Sequence, residues 1–248
     1  MTDLRRAVSA EILKLKRTLA LAMVVVAPAL VLVLQLALYL RWDYQLPPDA
    51  EAWEWLQNGV LGMWGIFMLP LFVTLETALL AGVEHGEKHW KHLFALPVPR
   101  WSIYLAKLLV GMGLVAFAML VLVVGIPVVG VMLESFRPQM GFDGPAPWLA
   151  TFRAAGAMFL ASWLIIAFHT WVSIRWAGFV VPLAVGVAAT FFTVFAANDT
   201  LAPYYPWLQP INTMGVLGST GSAVAKGVLG GAALGAIGCW EATRRDVT

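Results

Sequence analysis

Six apolar stretches, separated by short clusters of charge, govern what this chain can fold into. The first runs from Leu19 to Leu40 and is interrupted by a single polar residue, Gln35. At about 22 residues, or roughly 33 Å of helix, it spans a bilayer and exceeds the core of a cleavable signal, so it is expected to stay as a transmembrane helix. Further runs extend over Gly59 to Val83, Ile103 to Leu133, Phe152 to Ile174, Phe179 to Ala197 and Val224 to Trp240. The third is longer than a crossing needs and must tilt or protrude. Hydrophobic residues make up 60% of the chain and charged ones 12%. A soluble domain needs about twice that share of charge for its shell. The expected fold is therefore all-α: one polytopic membrane domain over residues 1–248 with six transmembrane helices.

Pro28, Pro70, Pro127 and Pro182 lie inside these runs, where neighbouring helices can absorb the lost hydrogen bond and kinks are expected. The last run carries Gly227, Gly231 and Gly235 at every fourth position. Such a stripe lets another helix approach closely, and internal packing is favoured here over a dimer seam. Tryptophans and tyrosines gather at the expected helix ends, among them Trp42, Trp53, Trp55, Trp101, Tyr104, Trp148, Tyr204 and Trp207, as an interfacial belt does.

Lysine and arginine placement orients the chain. With both termini inside, the cytoplasm receives Arg5, Arg6, Lys14, Lys16, Arg17, Lys88, Lys91, Arg100, Lys107, Arg175, Arg244 and Arg245, twelve of the sixteen. The opposite face keeps Arg41, Arg137, Arg153 and Lys226. Before the first run, Leu4, Val8, Ile12, Leu15 and Leu19 recur at steps of three or four, which predicts an amphipathic interfacial helix over residues 1–17. Anchoring to anionic lipid and docking on a partner are both open to it.

Several chemistries are excluded or left without support. The net charge of +2 and the lack of a basic stripe with interleaved aromatics argue against a nucleic-acid partner. The single cysteine, Cys239, permits neither an internal disulfide nor a paired-cysteine metal site. His85, His89 and His92 share one helical face, but no H-E-x-x-H pattern is present, because Glu87 follows His85 by two residues. No Gly-x-Ser-x-Gly elbow occurs, and His169 has no evident carboxylate partner, which disfavours an intramembrane enzyme. No G-x-x-x-x-G-K-[ST] phosphate loop occurs, so ATP hydrolysis has no seat in this chain. Glu76 lies within the second run, where a carboxylate is costly and faces the protein interior. A structural bond to a neighbouring Thr or Trp, a position near the interface and a role in transport are all open.

In the connection between the second and third runs, Glu84 to Arg100, the stretch from Glu84 to Leu96 is polar enough to leave the bilayer, helical in propensity and stopped by Pro97 and Pro99. Its Glu84-His85, Trp90-Lys91, Leu93, Leu96-Pro97 and Pro99-Arg100, with Ala106-Lys107 beyond, resemble the ABC-2 family of transporter permeases, especially its lantibiotic-immunity and bacitracin-type branch. Glu11-Ile12-Leu13-Lys14-Leu15-Lys16-Arg17 is similar to that branch's opening signature. The resemblance implies a permease subunit that pairs with an identical or homologous permease in the cell membrane and is driven by two separate ABC ATP-binding subunits. Residues 84–100 would form a cytoplasmic coupling helix, with Glu84, His85, Lys88, Trp90, Lys91, Leu93, Pro97, Arg100 and Lys107 as ATPase-coupling residues. ATP and magnesium would sit on the partner, this chain binding no cofactor of its own. The cargo implied is amphipathic or hydrophobic, a peptide antibiotic being one such compound. A membrane scaffold or sensor that binds an ABC ATPase without transporting is the other reading.

Overall fold

The computed structural model describes residues 2–41, 45–47, 50–86, 99–176, 178–198, 200–216 and 218–244. Helix α1 (Thr2–Lys14) leads through a turn into α2 (Leu19–Tyr39). Helix α3 (Ala52–Met63) passes through a π turn (Trp64–Met68) into α4 (Leu69–Gly86). Then come α5 (Arg100–Phe136), α6 (Trp148–Ala161), α7 (Trp163–Arg175) and α8 (Val180–Ala196). A short α9 (Gln209–Asn212) precedes α10 (Thr220–Arg244). Among the described residues four helices are long and apolar enough to cross a membrane: α2, the rod from Ala52 to Gly82, α5 and α10. The α6–α7 pair makes a fifth if it is one span, and α8 is a shorter apolar helix.

Burial sorts these rods into centre and periphery. In the most apolar 18-residue stretch of each, 61% of residues are buried in the Ala52–Gly82 rod and 56% in α5, against 33% in α2 and 28% in α10. Outward apolar side chains such as Val33, Val124, Phe191, Phe195 and Leu229 would be untenable in water over so much surface; in lipid they are already in their solvent. The core against which the outer helices lie is built from Leu56, Val60, Trp64, Val73, Leu122, Ile126 and Ile165.

None of the four prolines separates two helices. Pro182 sits in the first turn of α8, where its missing N–H has no partner to lose. Ahead of Pro70 the π turn lets the Leu69 N–H donate to the Trp64 carbonyl and loosens the chain where the ring would meet the carbonyl four residues back. Pro28 and Pro127 lie inside helices that run on through them. The break bent by more than 40°, at 42°, falls instead between α6 and α7 at Ser162. There the Ser162 hydroxyl donates to the Phe159 carbonyl at 2.6 Å, and α10 crosses at backbone contact: a Cβ on Gly231 would lie 2.7 Å from the Trp163 carbonyl carbon. Gly227, Gly231, Gly235 and Gly238 are all buried, so this stripe packs inside the subunit.

The two ends of the bundle are tied by polar groups placed against helix termini. At the end where α2 finishes, the Arg137 guanidinium donates to the carbonyls of Tyr39, at 3.0 Å, and of Arg41. A cation there satisfies terminal carbonyls and opposes the negative pole of the helix. At the end carrying α1, Glu241 of α10 accepts from the Trp171 indole at 2.6 Å and pairs with Arg175 at 3.4 Å, which joins α10 to α7. The expected aromatic belt holds in part. Trp55, Trp101, Trp148 and Tyr204 are exposed, but Trp53, Tyr104 and Trp207 are buried as packing residues; Trp42 lies outside the described residues.

Candidate functional site

The residues ascribed to coupling divide into four groups. Lys88, Trp90, Lys91, Leu93 and Pro97 lie outside the described residues, as do His89 and His92 of the histidine face. Glu84 and His85 close α4, and their side chains are outside what is described. Arg100 opens α5 and is half-buried, with Pro99 as the cap residue whose carbonyl accepts from the Ser102 hydroxyl at 2.6 Å.

Lys107 departs from the expectation. It is 2% exposed and turned into the protein, where its ammonium donates to Glu11 Oε2 at 2.8 Å and to the Leu80 carbonyl at 3.1 Å. A side chain held this way presents no charge to a partner surface. It joins three elements instead: α1 through Glu11, α4 through Leu80 and α5 through its own backbone. Glu11 is itself 4% exposed and takes a second cation, Lys14, at 2.6 Å. Two ammonium groups on one carboxylate offset much of the cost of taking that charge out of water, which an unpaired carboxylate would bear alone.

This pair also revises the amphipathic reading of residues 1–17. The helix ends at Lys14, and its inward face is Val8, Glu11 and Leu15, while Ile12 and Leu13 stand 52% and 59% exposed. The apolar stripe is thus split, part against α5 and part outward. A glutamate interrupting the Val8–Leu15 stripe was the available signal, since a carboxylate on the buried face of a helix implies a buried cation opposite.

A second polar cluster lies between α4, α7 and α8. The Thr74 hydroxyl lies 3.3 Å from His169 Nε2, and the Ser173 hydroxyl donates to Thr77 Oγ1 at 3.3 Å. Gly186 of α8 lets that helix close directly on Thr74, where a Cβ would collide with the threonine side chain. The rings of Trp207 and Phe168 stand edge-on to the imidazole, at 5.7 and 5.4 Å. Sequence alone left His169 solitary; its partner is a hydroxyl, 95 residues away along the chain. Glu76 is fully buried, and neither carboxylate oxygen has a hydrogen-bond partner among the described residues. The expected structural bond to a threonine or tryptophan is therefore not made by them. Glu76 stands one helical turn before Leu80 on the same face of α4, and Leu80 meets α5 beside Gly111.

The sequence profile of the family described as ABC-2 family transporter protein matches residues 7–195, from the middle of α1 to the last turn of α8. The chain belongs to this family. No curated protein and no solved structure matches it. As an ABC-2 family protein it is a multi-pass membrane component of a transporter, and the matched stretch includes Glu11, Glu76, the 84–100 connection and Lys107. The glycine stripe of α10 lies beyond it.

Proposed function

We propose that this ABC-2 family chain is the permease subunit of an ABC exporter, working as a pair with an identical or homologous permease and driven by two separate ATP-binding subunits. The observation that carries this reading is the family match, which spans the second half of α1 and the connection from Glu84 to Arg100. In this reading six spans cross the bacterial cytoplasmic membrane with both termini inside, and residues 84–100 are the coupling helix gripped by the ATPase. ATP and magnesium belong to the partner. Closure of the ATPase pair pushes on the ends of α4 and α5, and rigid-body tilting of the spans shifts access from one side to the other. The Lys107 tie supports such a lever, because it fastens α1, α4 and α5 together beside that connection, so that a push is transmitted and not absorbed by local bending. Glu76, buried in the rod that ends at the connection, is the intramembrane polar group assigned to transport. The cargo class proposed is amphipathic or hydrophobic, with peptide antibiotics among the candidates.

Charge reversal tests the coupling assignment. Glu84→Lys or Arg100→Glu is expected to lower co-purification with the ATP-binding subunit by about tenfold or more, as loss of a paired interfacial charge costs ~2 kcal/mol. Membrane insertion should be unchanged. Co-purification and transport at wild-type levels in both variants would remove the assignment, and unaltered co-purification with no transport at all in the wild type would favour the scaffold reading.

A further inference from the structure

A cavity of about 250 Å³ lies at the α1 end of the bundle, between the turn that follows α1, the start of α2, the last turns of α4 and Phe179 at the head of α8. Its walls are Leu15, Leu19, Ala78, Leu79 and Phe179, with Glu11 and Lys14 at one edge. We infer that this cavity is a binding site for one acyl chain of an anionic phospholipid, with the lipid phosphate held at its rim by Lys14, Lys16 and Arg17.

Three features select this occupant. The lining residue Leu19 is 55% exposed, and Leu13, Leu21 and Val180, each next in sequence to a lining residue, are 59%, 49% and 76% exposed, so in a membrane-spanning chain this corner faces lipid. Its volume suits a length of hydrocarbon, and its lining is mostly apolar, with Thr18 joining Glu11 and Lys14 as the polar groups. Positive charge is in excess at this edge: Glu11 is already balanced by the buried Lys107 and by Lys14, while Lys16 and Arg17 are exposed in the turn between the lining residues Leu15 and Thr18. A diester phosphate on a lipid at this depth complements that excess. Because Lys14 bridges Glu11 and the rim, a bound headgroup would touch the same carboxylate cluster that fastens α1 to α5. The site thus couples the lipid composition of that leaflet to the stiffness of this corner of the bundle.

The full-length chain, delipidated in detergent and titrated with dioleoylphosphatidylglycerol or dioleoylphosphatidylcholine, gives the test by native mass spectrometry. One phosphatidylglycerol is expected to bind about tenfold more tightly than phosphatidylcholine. The double variant Lys16→Gln with Arg17→Gln, both positions exposed, should erase that preference while leaving the thermal unfolding midpoint in place. Leu79→Trp, which fills the cavity from α4, and Leu19→Trp, which fills it from its exposed mouth, should each lower binding of both lipids. Equal binding of the two lipids by the wild type would overturn the proposal. So would undiminished binding in whichever tryptophan variant folds, or a dimer that holds together at this face with no lipid bound.

Discussion

Replacing Gly231 with leucine is expected to leave no folded protein recoverable from the membrane. A Cβ at that position already falls 2.7 Å from the Trp163 carbonyl carbon and 2.8 Å from the Trp163 Cβ, and the first of these is backbone that cannot swing aside. Overpacking against a rigid neighbour costs ~3 kcal/mol or more, a large share of the margin available to a small domain. The contact lies at the break between α6 and α7, so α10 could be relieved only by straightening or detaching that pair. Gly221→Ala, on the same helix, is the control: nothing stands within 4 Å of its Cβ, and alanine is the better helix former. Monodisperse yield after detergent extraction, followed by a thermal unfolding curve, reads both. The two glycines should give opposite results from one kind of chemistry, the addition of side-chain carbon to a helix.

Lys107→Met carries the second large effect. It removes from Glu11 its buried partner and leaves the carboxylate, 4% exposed, with Lys14 alone. Breaking a buried ion pair from one side costs ~3–5 kcal/mol, whereas replacing both members by apolar groups of like volume is close to neutral. The double variant Glu11→Leu with Lys107→Met should therefore recover most of the stability lost in the single one. A coupling energy of ~2 kcal/mol or more from the cycle of unfolding midpoints would show that the pair acts as a unit. Independent, additive losses would mean that the two side chains merely fill space. If the lever reading is right, the double variant also separates folding from coupling: it folds, but α1 no longer moves with α4 and α5, and ATP-driven transport falls.

Much of the architecture was legible because lipid is a stringent solvent. A run that must satisfy every backbone group within itself announces its length, and Leu19 to Leu40 as read became Leu19–Tyr39 as folded. Where burial in protein replaced burial in lipid, the signal weakened. The second span starts at Ala52, well before Gly59, because its first turns are amphipathic and pack Trp53, Leu56 and Val60 inward while Glu54 faces out. The last helix extends to Thr220 and Arg244 on polar residues that hydropathy discounts. Prolines carry the expectation of kinks, while the one bend of more than 40° at a break between described helices is at Ser162, an unremarkable residue locally, where Gly227 and Gly231 of a helix far along the chain close on Ala161 and Trp163.

The site divides in the same way. Short-range composition marked the connection from Glu84 to Arg100 and placed Glu76 inside the second span. It could not pair Glu11 with Lys107, 96 residues apart, nor Thr74 with His169, because such partnerships are decided by how the helices pack. The family resemblance of Ala106-Lys107 implies a coupling contact for Lys107; its burial points the side chain into the interior instead.

Sidedness tests the central claim most directly, because a coupling helix has to face the compartment that holds ATP. Cys239 is the sole cysteine, so a Cys239→Ser background makes a single introduced thiol the only target. With Lys88→Cys or Lys91→Cys, a membrane-impermeant maleimide is expected to leave intact cells unlabelled and to react after permeabilisation. Asn198→Cys, exposed at the opposite end of α8, should react in intact cells. Labelling of Lys88→Cys in intact cells would put the connection on the outer face and contradict the account.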